Sequence, residues 1–493
     1  MIAALGTGNR NASAALAGGH DLTLCGQDRA TRVRGAGGAA SGLPDEALDL
    51  LLERAGQSRA DISRYVVIGG DGPLPDGRWE RLRDPFAHAC TAYLTSPSTS
   101  AVIVVCDRDA PEVSVWLGDD RAVRQVEWPW RSVGFARAYA QGAAAFGFTT
   151  AAESQFEALA RLSPDARDQS IERLLRLDGD GLVVDAFLAF VADRVQSGCD
   201  LAAWSSLAAA FHARLADLLL EVLRQVRATV GRSDLCLGGS LFQQSWFNTA
   251  VRQSAVFNRV FVPVAPGNGG RAAGAALYAM GDSPRQRSPF LGPSYSGEEI
   301  KQTLDNCKLN YSWESSDDAV MVAVDALKDG RLVGWFDGNM EWGPRALGAR
   351  SILANPRAPY VLDNLNCFLK RRAAWRGYAL SGLQEALGDH FVGPPSSPYM
   401  ENDYRPRDPG QLRHVLPAPG GAVRVQSVAA DYDLPKFRRL LEAFGAETGL
   451  PFVVNTSFNG WHEPIVCSPR DAVRVFYGTG LDVLVINQFV LRK

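Results

Sequence analysis

Three short stretches of the sequence gather side chains suited to holding anions. Residues 338–357 (GNMEWGPRALGARSILANPR) set Glu341, Arg345, Arg350 and Arg357 among three glycines and two prolines. Arginines on a backbone pinned by Gly and Pro suit bidentate capture of phosphate or carboxylate; the alternative is a solvated loop with surface ion pairs. Lys370, Arg371 and Arg372 are followed by Trp375, Arg376, Tyr378 and Ser381, so cations lie beside aromatics that could shelter them from water. A basic helix end stabilising its own C-terminus would read the same way. The third stretch, Asn455-Thr456-Ser457-Phe458-Asn459-Gly460, follows Val453-Val454. Short amide and hydroxyl groups at the carboxyl end of a strand line ligand crevices in α/β folds, whereas in a plain turn they cap local backbone groups.

Elements must hold these stretches in place, and 493 residues are enough for two or three domains at roughly 100–200 residues each. Hydrophobic residues make up 46% and charged residues 21%, an ordinary globular composition. The 51 basic and 54 acidic residues leave a net charge of −3. That argues against nucleic acid or an anionic membrane as partner. No apolar run reaches the ~18 residues of a membrane span. The opening MIAALGTGNRNASAAL lacks the basic region and long apolar stretch of a signal peptide. The expectation is a soluble cytoplasmic protein. The eight cysteines are scattered without a C-x-x-C pair and read as buried reduced thiols.

The pattern along the chain predicts α/β architecture. β-branched runs at 65–68, 101–105 and 260–264 alternate with helical stretches. The clearest helix is 204–230, where Leu207, Phe211, Leu215, Leu218, Val222 and Val226 recur at spacings of three and four before Gly231. DLCLGGS at 234–240 then reads as a strand entering a double glycine. Residues 281–298, rich in Pro, Gly and Ser, read as a linker, dividing the chain into domains of about 1–285 and 300–493. Beyond it come a helix near 298–306 and strands at 331–336, 451–460 and 482–493. No internal repeat is visible.

Glu341-Trp342-Gly343-Pro344-Arg345-Ala346-Leu347-Gly348 with Arg350-Ser351-Ile352-Leu353 closely resembles the signature of the NodU/CmcH family of O-carbamoyltransferases. The rest of the C-terminal half agrees in order: Lys370-x-Arg372, AVRVQ at 422–426, Ser457-x-Asn459 and Glu463-Pro464-Ile465-Val466-Cys467. The resemblance implies a YrdC-like C-terminal domain that converts carbamoyl phosphate and ATP into carbamoyl-adenylate. It also implies an N-terminal domain of the actin-like ATPase fold that passes the carbamoyl group to a hydroxyl of a small-molecule acceptor, as in antibiotic and other specialised-metabolite biosynthesis. Lys370, Arg372, Ser457 and Asn459 are then the expected catalytic residues. Glu341, Arg345, Arg350, Arg376, Arg424, Gly238 and Gly239 are the expected substrate- and nucleotide-binding residues. A partner enzyme or a homo-oligomer is a further possibility.

The N-terminal half departs from the family. Its metal (iron or magnesium) is held by H-x-x-x-H and a Gly-Asp-x-Gly aspartate; here the corresponding segments are Asp84-Pro85-Phe86-Ala87-His88 and Gly267-Asn268-Gly269-Gly270. His88 alone remains of the ligands, and Asn brings no negative charge to a cation. Asp84 reads instead as a helix N-cap with Pro85 at the first helical position. An Asp-Gly loop has become Asp107-Arg108-Asp109, a lysine has become Gln155, and the asparagine following Gly238-Gly239 is Gln243. In the C-terminal half, Ala349 and Asn355 depart from the signature, and His414 fills the place of a histidine only if residues 416–419 are an insertion. Two function classes follow: an active carbamoyltransferase, or a weakened member that binds a ligand or partner.

Overall fold

The computed structural model describes residues 1–493 except 40, 71–73, 109–112, 131–132, 150–151, 180, 199, 282–287, 417 and 419–420. In the first sheet, β1 (Ile2–Gly6), β2 (Ser13–Gly18) and β3 (Asp21–Gly26) form an antiparallel meander. β4 (Arg64–Ile68) and β5 (Trp79–Leu82) add in parallel on the other side of β1. The second sheet opens with the meander of β6 (Ser100–Cys106), β7 (Val113–Asp119) and β8 (Ala122–Val126). A helical insertion follows, carrying the small hairpin β9 (Arg176–Leu177) and β10 (Leu182–Val183). β11 (Asp234–Gly238) and β12 (Arg259–Phe261) then add in parallel to β6. The orders β3-β2-β1-β4-β5 and β8-β7-β6-β11-β12 correspond strand by strand. The duplication is one of topology, which a search of the sequence for repeated residues does not detect.

Each copy ends in a helix, Asp84–Leu94 after β5 and Arg271–Ala279 after β12. The two helices lie against each other in one core with the inner faces of both sheets. The outer face of the first sheet is covered by the helix Asp45–Ala55. The outer face of the second is covered by the insertion, whose helix Leu201–Val230 buries Leu207, Phe211, Leu215, Leu218, Val222 and Val226 and stops at Gly231 in the left-handed region.

The third sheet takes its strands from residues 312–492. They are β13 (Ser312–Trp313), β14 (Val333–Phe336), β15 (Arg350–Ala354), β16 (Ala379–Leu383), β17 (Phe391–Val392), β18 (Asp403–Pro406), β19 (Val423–Val428), β20 (Phe452–Ser457), β21 (Val483–Ile486) and β22 (Phe489–Arg492). Their order is β13-β22-β21-β14-β15-β20-β16-β19-β18-β17. The pairing is mixed, with β14–β21 and β16–β19 parallel and β15 antiparallel to both neighbours. Helices Ser316–Lys328 and Pro435–Thr448 cover one face, and Gly297–Asn306 and Pro469–Gly478 the other. The α/β class expected from the sequence holds.

Three local expectations change. The strand at 260–264 stops at Phe261, because Pro263 has no N–H to give the ladder. Asp84 is the first helical residue rather than the N-cap, a place taken by Arg83. Of the cysteines, Cys25, Cys90, Cys106, Cys236 and Cys467 are buried, but Cys307 and Cys367 are exposed and Cys199 lies outside the described residues. Residues 282–287 of the connector also lie outside them. Its following stretch is tied down: Leu24 N–H donates to Leu291 O, Gly292 N–H to Met340 O and Trp342 N–H to Pro289 O. Among the described residues no helix is long and apolar enough to cross a membrane.

Gly238 and Gly239 end β11 against the protein's own backbone. A Cβ on Gly239 (φ +100°) would lie 2.2 Å from Cys106 O, whereas one on Gly231 (φ +73°) would meet nothing within 4 Å. Gly239→Ala should therefore destabilise by about 2–4 kcal/mol, and Gly231→Ala by about 1 kcal/mol for the left-handed backbone alone. Urea titration of both variants checks this; equal midpoints would refute it.

Candidate active site

A cavity of about 690 Å³ is lined by residues of both the N- and C-terminal halves. On its C-terminal wall, a π-helical turn over Asn364–Lys370 delivers Lys370, and Arg371 leaves it with φ +46°. Such turns and left-handed non-glycine residues are local costs that cluster at functional sites. Lys370 Nζ donates to Ser457 O (2.6 Å), Asn459 O (2.9 Å) and Asn459 Oδ1 (2.5 Å). Ser457 Oγ donates to the same Asn459 Oδ1 (2.8 Å), and Asn459 Nδ2 donates to Glu463 O (2.6 Å). The two motifs expected to cooperate are thus in direct contact at the end of β20.

Arg372 Nε donates to Asn366 Oδ1 (2.7 Å), and its guanidinium lies 3.8 Å from the centre of the Tyr378 ring. Tyr378 Oη donates to the same Asn366 oxygen (2.8 Å), while Asn366 Nδ2 donates to Ala374 O and Arg376 O. Asn366 is fully buried and organises the basic cluster. Nothing in the sequence marks it, because its role exists only once the turn brings 366 under 372–378. Burial lowers the pKa of Lys370, with Arg372 and Arg34 adding to the effect. Burial likewise lowers Arg372 and, with Arg372 beside it, brings Arg376 down to about 9. Arg376 Nε is buried without a hydrogen-bond partner.

A second group of charges closes the same cavity. Arg345 donates to Gln243 O (2.8 Å). Arg424, buried beside Arg345 and Arg161, has its pKa pushed well down by desolvation, and its Nη1 has no hydrogen-bond partner. Arg161 pairs with Glu157 (2.7 Å) and with Asp403 across the halves (3.1 Å). Neither Glu157 nor Arg161 was singled out from the sequence; a charged pair at i,i+4 on a helix reads as a surface feature.

Other expected residues serve the fold. Arg350 is fully buried, donates to Asp337 O, Gly338 O, Ala349 O and Pro293 O, stacks on Phe336, and does not line the cavity. Glu341 reaches the cavity wall, but its Oε1 accepts from the Leu347, Ala349 and Arg350 amides and so shapes the signature loop. Ala349 thus contributes its amide, and Asn355 caps Arg357 N. Arg357 itself is held by Thr448 O and Gln411. Gly238 and Gly239 face the chain's own carbonyls, not the cavity. His414 accepts from Arg413 Nε (3.1 Å) away from the cavity.

The old metal positions do not fit a metal. Asp84 is ion-paired with Arg271, whose guanidinium is almost wholly buried and also donates to Thr7 O and Asn268 O. His88 Nδ1 contacts Pro266 O (3.0 Å), and its Nε2 lies 3.5 Å from Asp107. Burial lowers the pKa of His88 despite Asp107. A guanidinium already supplies the positive charge there, and among the described residues no three His, Cys, Asp or Glu side chains gather to hold an ion. Arg108 pairs with Glu153 (2.8 Å) and Gln155 lines the cavity beside them; Asp109 lies outside the described residues.

The family model described as Carbamoyltransferase N-terminus matches residues 83–277, and that described as Carbamoyltransferase C-terminus matches residues 324–493. The chain belongs to the carbamoyltransferase family. Among similar proteins, the nodulation protein NolO of Bradyrhizobium diazoefficiens is 34% identical over 302 residues, 58% of this chain and 54% of that protein. The nodulation protein NolNO of Sinorhizobium fredii is 33% identical over 58% of this chain and 44% of its own length. The chain thus spans about half the length of the curated relatives it matches. Solved structures similar to it include the activator of the 2-hydroxyisocaproyl-CoA dehydratase from Clostridium difficile with bound ADPNP. That structure has a TM-score of 0.41, 17% identity, and coverage of 57% of this chain and 94% of that one. Full-length HypF in the phosphate- and nucleotide-bound form gives a TM-score of 0.41, 13% identity, 57% and 55% coverage.

Two measurements test this geometry. Elemental analysis of the purified protein should find well under one iron or zinc per chain; one equivalent that disappears in His88→Ala would overturn the account of Arg271. Burial lowers the pKa of Lys370, and a bound anion favours its charged form and raises that pKa again. Binding of inorganic pyrophosphate should therefore take up protons, and affinity should fall as pH rises through the free Lys370 pKa. Calorimetry in buffers of different ionisation enthalpy reads the uptake. Lys370→Met should abolish it, and an unchanged uptake would sink the assignment.

Proposed function

We propose that this carbamoyltransferase activates carbamoyl phosphate with ATP as carbamoyl-adenylate and passes the carbamoyl group to a hydroxyl of a small-molecule acceptor. The observation that carries this reading is the set of buried cations around one cavity. Lys370, Arg372, Arg376, Arg345 and Arg424 are brought together from separate motifs, with guanidinium nitrogens of Arg376 and Arg424 left unpartnered. Glu157 and Asp403 lie near Arg345 and Arg424 but already pair with Arg161, so cations are in excess, and a buried excess of charge is costly unless an anion offsets it. Water frees carbamate from carbamoyl phosphate with loss of inorganic phosphate; a carbamate oxygen then displaces pyrophosphate from the α-phosphorus of ATP. The acceptor oxygen attacks the carbamoyl carbon, its proton leaves, and AMP departs. Lys370 and the arginines offset charge growing on the leaving phosphate and pyrophosphate oxygens. Ser457 and Asn459 hold Lys370 in place.

The Arg271–Asp84 pair favours a metal-independent N-terminal half, which serves the acceptor side of the cavity and does not need the family's ion. The proposal is tested by carbamoyl-phosphate-dependent ATP–pyrophosphate exchange. Wild type should be active, and Arg372→Ala should lose on the order of 2–4 kcal/mol, ~10²–10³ in rate. A solvated surface cation would cost well under ~1 kcal/mol. No exchange in wild type would reject adenylation in favour of a ligand- or partner-binding role.

A further inference from the structure

The N-terminal wall of the cavity carries cations that the donor chemistry does not use. Arg10 and Arg34 both line it; among the described residues neither forms a salt bridge, although Glu153, already paired with Arg108, is close enough to feel the charge of Arg10. They sit on two loops stitched together by main-chain bonds: Asn11 N–H donates to Gly35 O (3.2 Å), Ala12 N–H to Ala36 O (3.0 Å) and Gly38 N–H to Gly8 O (3.0 Å). The loop bearing Arg34 is also clamped to the C-terminal half. Arg32 donates to Ile465 O (2.6 Å) and Pro464 O (3.1 Å), and pairs with Asp471 (3.2 Å). Arg108, anchored by Glu153, stands on the same wall. Arg34 is close enough to lower the pKa of Lys370 and Arg376, so the two walls repel across the space between them. Fixed like charges facing one cavity attract and orient anions.

We infer that the N-terminal wall is an acceptor site for a hydroxyl compound bearing its own anionic group, a phosphate, sulfate or carboxylate, held by Arg10 and Arg34 with Arg108 beside them. The inference rests on the carbamoyl-transfer reading of the cavity. In that arrangement the donor lies against Lys370 and Arg372, and the acceptor is anchored by its anion on the N-terminal wall with a hydroxyl turned towards the carbamoyl carbon.

Titration of the full chain with inorganic pyrophosphate, followed by calorimetry, should give two equivalents bound. The double variant Arg10→Ser/Arg34→Ser should weaken one equivalent more than 10-fold, and Arg372→Ala the other. A single equivalent, or two variants weakening the same one, overturns the second site. In transfer assays with radiolabelled carbamoyl phosphate, anionic acceptors such as glucose 6-phosphate or glycerol 3-phosphate should be preferred over glucose or glycerol. The double variant should raise KM for the anionic acceptor more than 10-fold while KM for ATP moves less than twofold. Preference for the neutral compounds, or a rise in KM for ATP instead, rejects the acceptor assignment. Absence of exchange activity in wild type would be a failure of the carbamoyl-transfer reading, separable from the pyrophosphate stoichiometry.

Discussion

Positive charge held out of water without matching carboxylates is the constraint around which this protein is arranged. Lys370, Arg372, Arg376 and Arg424 all carry pKa values lowered by burial. A chain that gains stability only by packing would not collect them in one place, since each loses hydration and each repels the others. Local devices offset part of the cost. Three oxygens from the β20 end hold Lys370, the Tyr378 ring covers Arg372, and Asn366 uses both the oxygen and the nitrogen of its side-chain amide to tie the cluster together. What remains unmatched is available to an anionic ligand.

The same cavity makes the two halves depend on each other. Arg161 reaches from an N-terminal helix to Asp403 on β18, and Arg32 clamps the Ile465–Asp471 segment. Arg345, from the signature loop, is held by Gln243 of the N-terminal half. Each wall therefore has its side chains set in part by residues of the other, and a change at the junction is felt at the site.

In the N-terminal half, the duplication places an ion pair where the two copies meet. The two copies end in equivalent helices that cross in the shared core, so Asp84 at the start of one helix lies beside Arg271 at the start of the other. A guanidinium fixed there supplies a positive charge at that point without imidazole or carboxylate ligands.

Much of the local structure is legible in the residues. Helix 201–230 follows from its apolar spacing and stops at Gly231, and Val453-Val454 leads into a strand whose end carries Ser457. The family resemblance likewise leads one to expect Lys370, Arg372, Ser457 and Asn459 to act together, and Lys370 does contact Ser457 and Asn459. Residue types do not reveal their division of labour. Arg350 and Arg345 stand five positions apart in one motif, yet one is spent on four carbonyls inside the fold and the other lines the cavity. Arg10 and Arg34, separated along the chain, come to one wall only because two loops share main-chain hydrogen bonds. Apolar periodicity and turn chemistry act over a few residues and so are written locally. Burial, charge pairing and the facing of two walls depend on chain segments brought together across hundreds of positions, and only the tertiary structure decides them.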